Sequence, residues 1–120
     1  MTGALDLAVR IGASVVALMH LWFLVLEMFL WNAPLGRRTF GTTEAFAAES
    51  ASLAKNQGLY NGFLAAGLVW GVATGTRSTL TFFLGCVVVA GVYGAITVSA
   101  RIALIQALPA AVVLALVWLR

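Results

Sequence analysis

The chain has 120 residues, 62% of them hydrophobic and only 9% charged, with a mean hydropathy of +1.04. Soluble domains carry about 25% charged residues, so the composition excludes a soluble globular enzyme and a disordered tail. The net charge of +3 comes from scattered basic residues with Arg37-Arg38 as their one pair, which excludes a phosphate-binding stripe and a nucleic-acid partner. A single cysteine, Cys86, excludes an intrachain disulfide framework and a multi-cysteine metal site.

A helix that crosses a bilayer needs about 20 mostly apolar residues, because each residue rises about 1.5 Å through about 30 Å of hydrocarbon. Residues 7–31, 54–73, 80–98 and 102–119 meet or approach that length. Helices are the default for such stretches, since backbone amides cannot stay unpaired in lipid. The expectation is an all-α fold, a single transmembrane domain over residues 1–120 arranged as an integral membrane four-helix up-down bundle.

The first span lacks a basic cluster before it, and its apolar stretch is too long for a secretory signal, so it is expected to be retained. Pro34 ends it, because proline disfavours helical geometry in the preceding residue. Residues 32–53 are expected as the one long loop, with a short interfacial helix over 43–53 that dips Phe46 and Leu53 into lipid. The turns at 74–79 and 99–101 are short, so spans two, three and four should run antiparallel. Basic residues divide four to three between the two sides, Arg37, Arg38, Lys55 and Arg101 against Arg10, Arg77 and Arg120, too evenly for orientation to be read.

The strongly polar residues fall in the half of the membrane nearest the long loop. Glu27 closes the first span, Asn56, Gln57, Tyr60 and Asn61 open the second, Tyr93 and Thr97 close the third, and Gln106 opens the fourth. His20 lies near the midplane. His20 and Glu27 are about two turns apart and share a face with Ala13, Ala17, Leu24 and Trp31. Gln57, Asn61, Leu64 and Leu68 are expected to share another. The opposite half is almost purely aliphatic and aromatic. The expected site is a polar pocket formed by His20, Glu27, Asn56, Gln57, Tyr60, Asn61, Tyr93 and Gln106.

Glycine and alanine repeats at four-residue spacing, among them Gly58-Gly62-Ala66 and Gly67-Gly71-Gly75, let helices approach closely in lipid. Pro109 removes the bond to the carbonyl of Ile105 and should kink the last helix.

Glu27 is the most informative residue, because acidic side chains inside a span usually face the bundle interior and mark function. The competing reading is an internal clamp to Lys55, Asn56 or Gln57. A rise of about 10.5 Å separates His20 from Glu27, so a proton relay between them needs an intermediary. No catalytic set, phosphate loop or metal site is visible, and no cofactor is expected.

The run Lys55-Asn56-Gln57-Gly58-Leu59-Tyr60-Asn61-Gly62-Phe63-Leu64-Ala65 resembles the signature of a family of small bacterial membrane proteins known as domain of unknown function 1304. His20, Glu27 and Trp31, then Ala90-Gly91-Val92-Tyr93-Gly94, then Gln106 with Pro109-Ala110 match in order. The resemblance implies a multi-pass, four-span protein of the bacterial cytoplasmic (inner) membrane and no established activity.

Three functions are expected from these residues. The first is binding or transport of a small polar or cationic molecule, or a proton, with Glu27 supplying charge. Transport by four spans calls for a homodimer, with Gly67, Gly71 and Gly75 as its candidate interface; the layout is similar to that of small multidrug transporters, an analogy of arrangement alone. The second is a structural or assembly subunit without a ligand. The third is a redox accessory that acts on a lipid-soluble substrate.

Overall fold

In the computed structural model, which describes residues 3–120, five α-helices and one π-helical turn make up nearly all of the chain. They are α1 (Gly3–Met28), α2 (Pro34–Phe40), α3 (Glu44–Thr74), α4 (Arg77–Thr97), the π turn (Ala103–Ala107) and α5 (Leu108–Leu119). The fold class is all-α, with no strand among the described residues.

Two helices, α1 and α4, are long and apolar enough to cross a membrane. The other two expected spans differ. Lys55, Asn56, Gln57 and Asn61 dilute the apolar run of α3. The apolar helix Ala103–Leu119 is shorter than the about 20 residues that hydrocarbon demands.

Residues 32–53, expected as a long loop with a short helix over 43–53, are largely helical, and the expected short helix is the first part of α3. Pro34 opens α2, where its missing N–H costs nothing. Gly41, at φ 67°, closes it, and the Thr42 N–H donates back to the Arg37 carbonyl at 3.0 Å. That arrangement requires a left-handed residue, which glycine supplies without strain. After it, α3 starts ten residues before the expected boundary. The Thr43 hydroxyl accepts from the Phe46 N–H at 3.1 Å and caps the helix. Ala45, Ala47, Ala48, Ala51 and Ala54 then carry it forward, alanine being the strongest helix former.

The chain divides into two compact units. The first comprises residues up to Ala17 together with Ala66–Arg120; the second comprises Leu18–Ala65.

In the first unit, α4 and α5 pack antiparallel. Gly94 lies against Ile102, Gly91 against Ala107, and at the far end the Trp118 Nε1 donates to the Thr81 hydroxyl at 3.0 Å. A Cβ at Gly91 would stand 2.6 Å from the Ala107 nitrogen, so only glycine admits the two backbones at this spacing. Val9, Leu80, Leu84, Val87, Ala110 and Val117 form the unit's buried core. Gly67 is filled against the Phe83 ring and Gly71 against Leu80. Two glycines of the stripe expected at a dimer interface, Gly67 and Gly71, thus seat side chains of α4 within the chain.

Asp6 joins the ends of this unit. Its carboxylate accepts from Arg10 Nε at 2.9 Å and from Arg120 Nη1 at 3.0 Å, while Arg120 Nη2 donates to the Gly75 carbonyl at 3.2 Å.

The expected kink at Pro109 takes the form of the π turn. Proline offers no N–H to the carbonyl four residues back, and the turn before it widens, with the Leu108 N–H donating to the Ala103 carbonyl five residues away. Gln106 lies within this turn.

In the second unit, α1 and α3 are in intimate contact. Gly58 sits against the Glu27 Cβ and the Leu24 carbonyl, and Gly62 against a Leu24 methyl. The Trp31 Nε1 donates to the Ser50 hydroxyl at 3.0 Å, and its indole meets Phe40 at 5.0 Å.

Candidate functional site

The centre of the second unit is one polar contact. Asn61 Nδ2 donates to Glu27 Oε1 at 2.6 Å, and both residues are buried, at 6% and 9% exposure. The contact forms because Gly58, one turn before Asn61, removes the side chain that would hold α3 away from α1. It satisfies one oxygen of a carboxyl that the apolar surroundings would otherwise penalise. No basic residue forms an ion pair with Glu27 among the described residues. Lys55, Asn56 and Gln57, the clamp partners considered from sequence, are all exposed.

His20, two turns before Glu27, is fully buried, and its ring meets Phe23 edge-on at 5.3 Å. It shares the buried side of α1 with Leu26 and Glu27.

Of the other expected site residues, Asn56, Gln57 and Tyr60 belong to the second unit, and Tyr93 and Gln106 to the first. Asn56, Gln57 and Tyr60 lie on the outer side of α3, where Tyr60 is 54% exposed and meets Phe63 at 5.9 Å. Tyr93, in the first unit, is 68% exposed and lines an open groove along α4. Gln106 is half-buried in the π turn. Within the second unit the structure joins Glu27 to Asn61 and buries His20 on the same helix as Glu27, while Asn56, Gln57 and Tyr60 face outward.

The reason lies in the choice of face. The buried side of α3 includes Ala47, Ala54, Gly58, Asn61, Ala65 and Leu68. That series is mostly small residues with one amide among them. Gln57 is adjacent to Gly58 and therefore about 100° away around the helix. Small residues mark where helices meet in lipid, and weighting that signal ahead of polarity selects Asn61 alone.

Sequence reasoning misses Ser50 as a partner of Trp31. The expected helix over 43–53 contains Ser50, but its contact with Trp31 is readable only once that helix is continuous with α3.

Comparison with known families adds one finding. The family model described as protein of unknown function (DUF1304) matches residues 14–118. The chain belongs to this family. The DUF1304 match includes His20, Glu27, Asn61 and the π turn, whereas Asp6, Arg10 and Arg120 lie outside it. No curated protein and no solved structure matches the chain.

Among the described residues no group of three or more His, Cys, Asp or Glu side chains is placed to hold a metal ion. Chemically, the Glu27–Asn61 pair offers one carboxyl group beside one neutral amide. Such a pair can exchange a proton or accept a cation.

Proposed function

We propose that this DUF1304 protein is a four-span protein of the bacterial cytoplasmic membrane that binds a proton or a small organic cation at Glu27. The observation that carries this reading is the carboxyl of Glu27, buried in the second unit with a neutral amide as partner and, among the described residues, no ion pair. Acidic groups inside apolar segments are rare and usually mark ion or proton pathways. A permanent structural clamp would be better served by a basic partner, which would neutralise the carboxylate; an amide leaves room for a cation to do so. Asn61 then holds the carboxyl in place, and the long amides Asn56 and Gln57 belong to the outer surface of the site's approach. Net transport would further require a second copy of the chain.

The test is binding of tetraphenylphosphonium to the protein in lipid nanodiscs at pH 6 and pH 8. Binding that strengthens at the higher pH and falls at least about tenfold in Glu27→Gln is expected, a loss of about 1.4 kcal/mol. Binding that Glu27→Gln leaves unchanged defeats the proposal.

A second reading is favoured by the short Glu27–Asn61 bond itself, which fixes the register of α1 against α3. Under it the protein is a structural or assembly subunit. Loss of thermal stability in Glu27→Gln without any cation binding in the wild type would select it.

A further inference from the structure

We propose that the groove along α4 is a binding site for one anionic phospholipid, with the headgroup phosphate at Arg77 and Ser78 and an acyl chain along the helix to Tyr93. The proposal rests on the membrane reading of the chain.

Two grooves on the first unit share Thr81 and Phe82. One lies between α4 and α5 and is bounded by Arg77, Ser78 and Trp118; the other is shallow and open, formed by one face of α4 that continues past Gly85 and Val89 to Tyr93. Together they form one track whose chemistry changes along its length. Arg77, Ser78 and Thr81 supply a cation and two hydroxyls at one end. Beyond Phe82 the lining is apolar or small, and at Gly85 a side chain would meet nothing within 4 Å. From Thr81 to Tyr93 the helix rises about 18 Å, close to the about 15 Å depth of one leaflet of a 30 Å hydrocarbon core. A polar head and a long apolar tail are the two parts of a phospholipid, in that order.

Charge decides between an anionic and a neutral headgroup. The first unit holds Arg10, Arg77, Arg101 and Arg120 against Asp6 alone. The second balances Arg37, Arg38 and Lys55 against Glu27, Glu44 and Glu49. The formal net charge of +3 therefore resides wholly in the first unit. Asp6 is already shared by Arg10 and Arg120. Arg77 has no carboxylate partner among the described residues. Its guanidinium carbon lies over the Trp118 ring, 4.9 Å from the centroid, and Trp118 is held in turn by Thr81. This cation is fixed at the mouth of an apolar track and lacks an anion. Tryptophan beside it suits the depth of lipid headgroups.

The experiment is native mass spectrometry of the full chain equilibrated with phosphatidylglycerol and phosphatidylcholine of equal chain length. It compares wild type with Arg77→Gln, Gly85→Leu and Arg38→Gln, each first checked for helicity by circular dichroism. One phosphatidylglycerol adduct favoured over phosphatidylcholine is expected. Arg77→Gln should cut that preference about fivefold, the worth of one interfacial cation, and Arg38→Gln should leave it intact. Gly85→Leu should weaken both lipids by occupying the track. Equal adducts of the two lipids in the wild type overturn the proposal, as does equal loss in Arg38→Gln and Arg77→Gln, which would mark diffuse attraction. A dimer peak that Gly85→Leu abolishes while lipid adducts persist assigns the track to a second copy and overturns it too. Extraction of cell membranes with alkaline carbonate separates the two levels. Release of the chain defeats the membrane reading and this proposal together, whereas retention with no phosphatidylglycerol preference defeats this proposal alone.

Discussion

Asn61 reaches Glu27 across 34 residues of sequence and 2.6 Å of space. The bond exists because Gly58 lets the two helices close to backbone contact. Truncating the donor in Asn61→Ala leaves a buried carboxyl oxygen without its amide, at a cost of about 1–2 kcal/mol. A double-mutant cycle with Glu27→Gln should give a coupling energy of roughly 1 kcal/mol, measured by thermal unfolding in lipid. Strict additivity would show that the two residues act independently.

Two glycines of α4 should respond in opposite ways to the same change. Gly91→Ala drives a methyl into the Ala107 backbone and should destabilise by about 1–3 kcal/mol. Gly85→Ala enters open space and should gain up to about 1 kcal/mol from helix propensity. Unfolding midpoints of the pair decide this, and similar values for both would contradict the packing of α4 against α5.

Trp31 provides an optical reporter. Ser50→Ala removes the acceptor of its indole N–H and should cost about 1 kcal/mol, with a change in the tryptophan emission maximum. An unchanged spectrum would mean that the bond is not made in solution.

Arg120 and Arg10 both hold Asp6, but their side chains are 12% and 49% exposed. Arg120 also donates to Gly75. Arg120→Ala should therefore lower the unfolding midpoint more than Arg10→Ala. Salt should erode the Arg10 contribution first, because exposed pairs are screened and contribute little. A larger loss in Arg10→Ala would reverse the ranking.

The helices of the chain are legible as apolar runs, and Glu27 and Asn61 stand out as polar groups in them. The length of α3 is harder to see, because the helix expected over 43–53 runs on without a break into the apolar span, and no proline or glycine cap between them marks either a join or a stop. The outward turn of Gln57 is hidden for a different reason. Depth in a membrane comes from counting residues, but the face of a helix is set by which residues let a neighbour approach. Gly58 decides that face, and a polarity pattern gives it no weight. The pairing of Asp6 with Arg120 depends on folding across 114 positions, a distance at which local pattern carries no information.

The widened turn at Ala103–Ala107 holds one more residue than an α turn over the same stretch. It behaves as an insertion that the helix has absorbed locally, leaving the residues of α5 in place. Removing a single residue such as Ile105 should therefore preserve the phase of Ala110, Val113 and Val117 toward α4, with Pro109 still leaving one carbonyl of the ladder unpaired. The same deletion in the middle of α4 would rotate every later contact by a quarter turn or more. This short segment is the place where the chain should lose one residue and keep its fold.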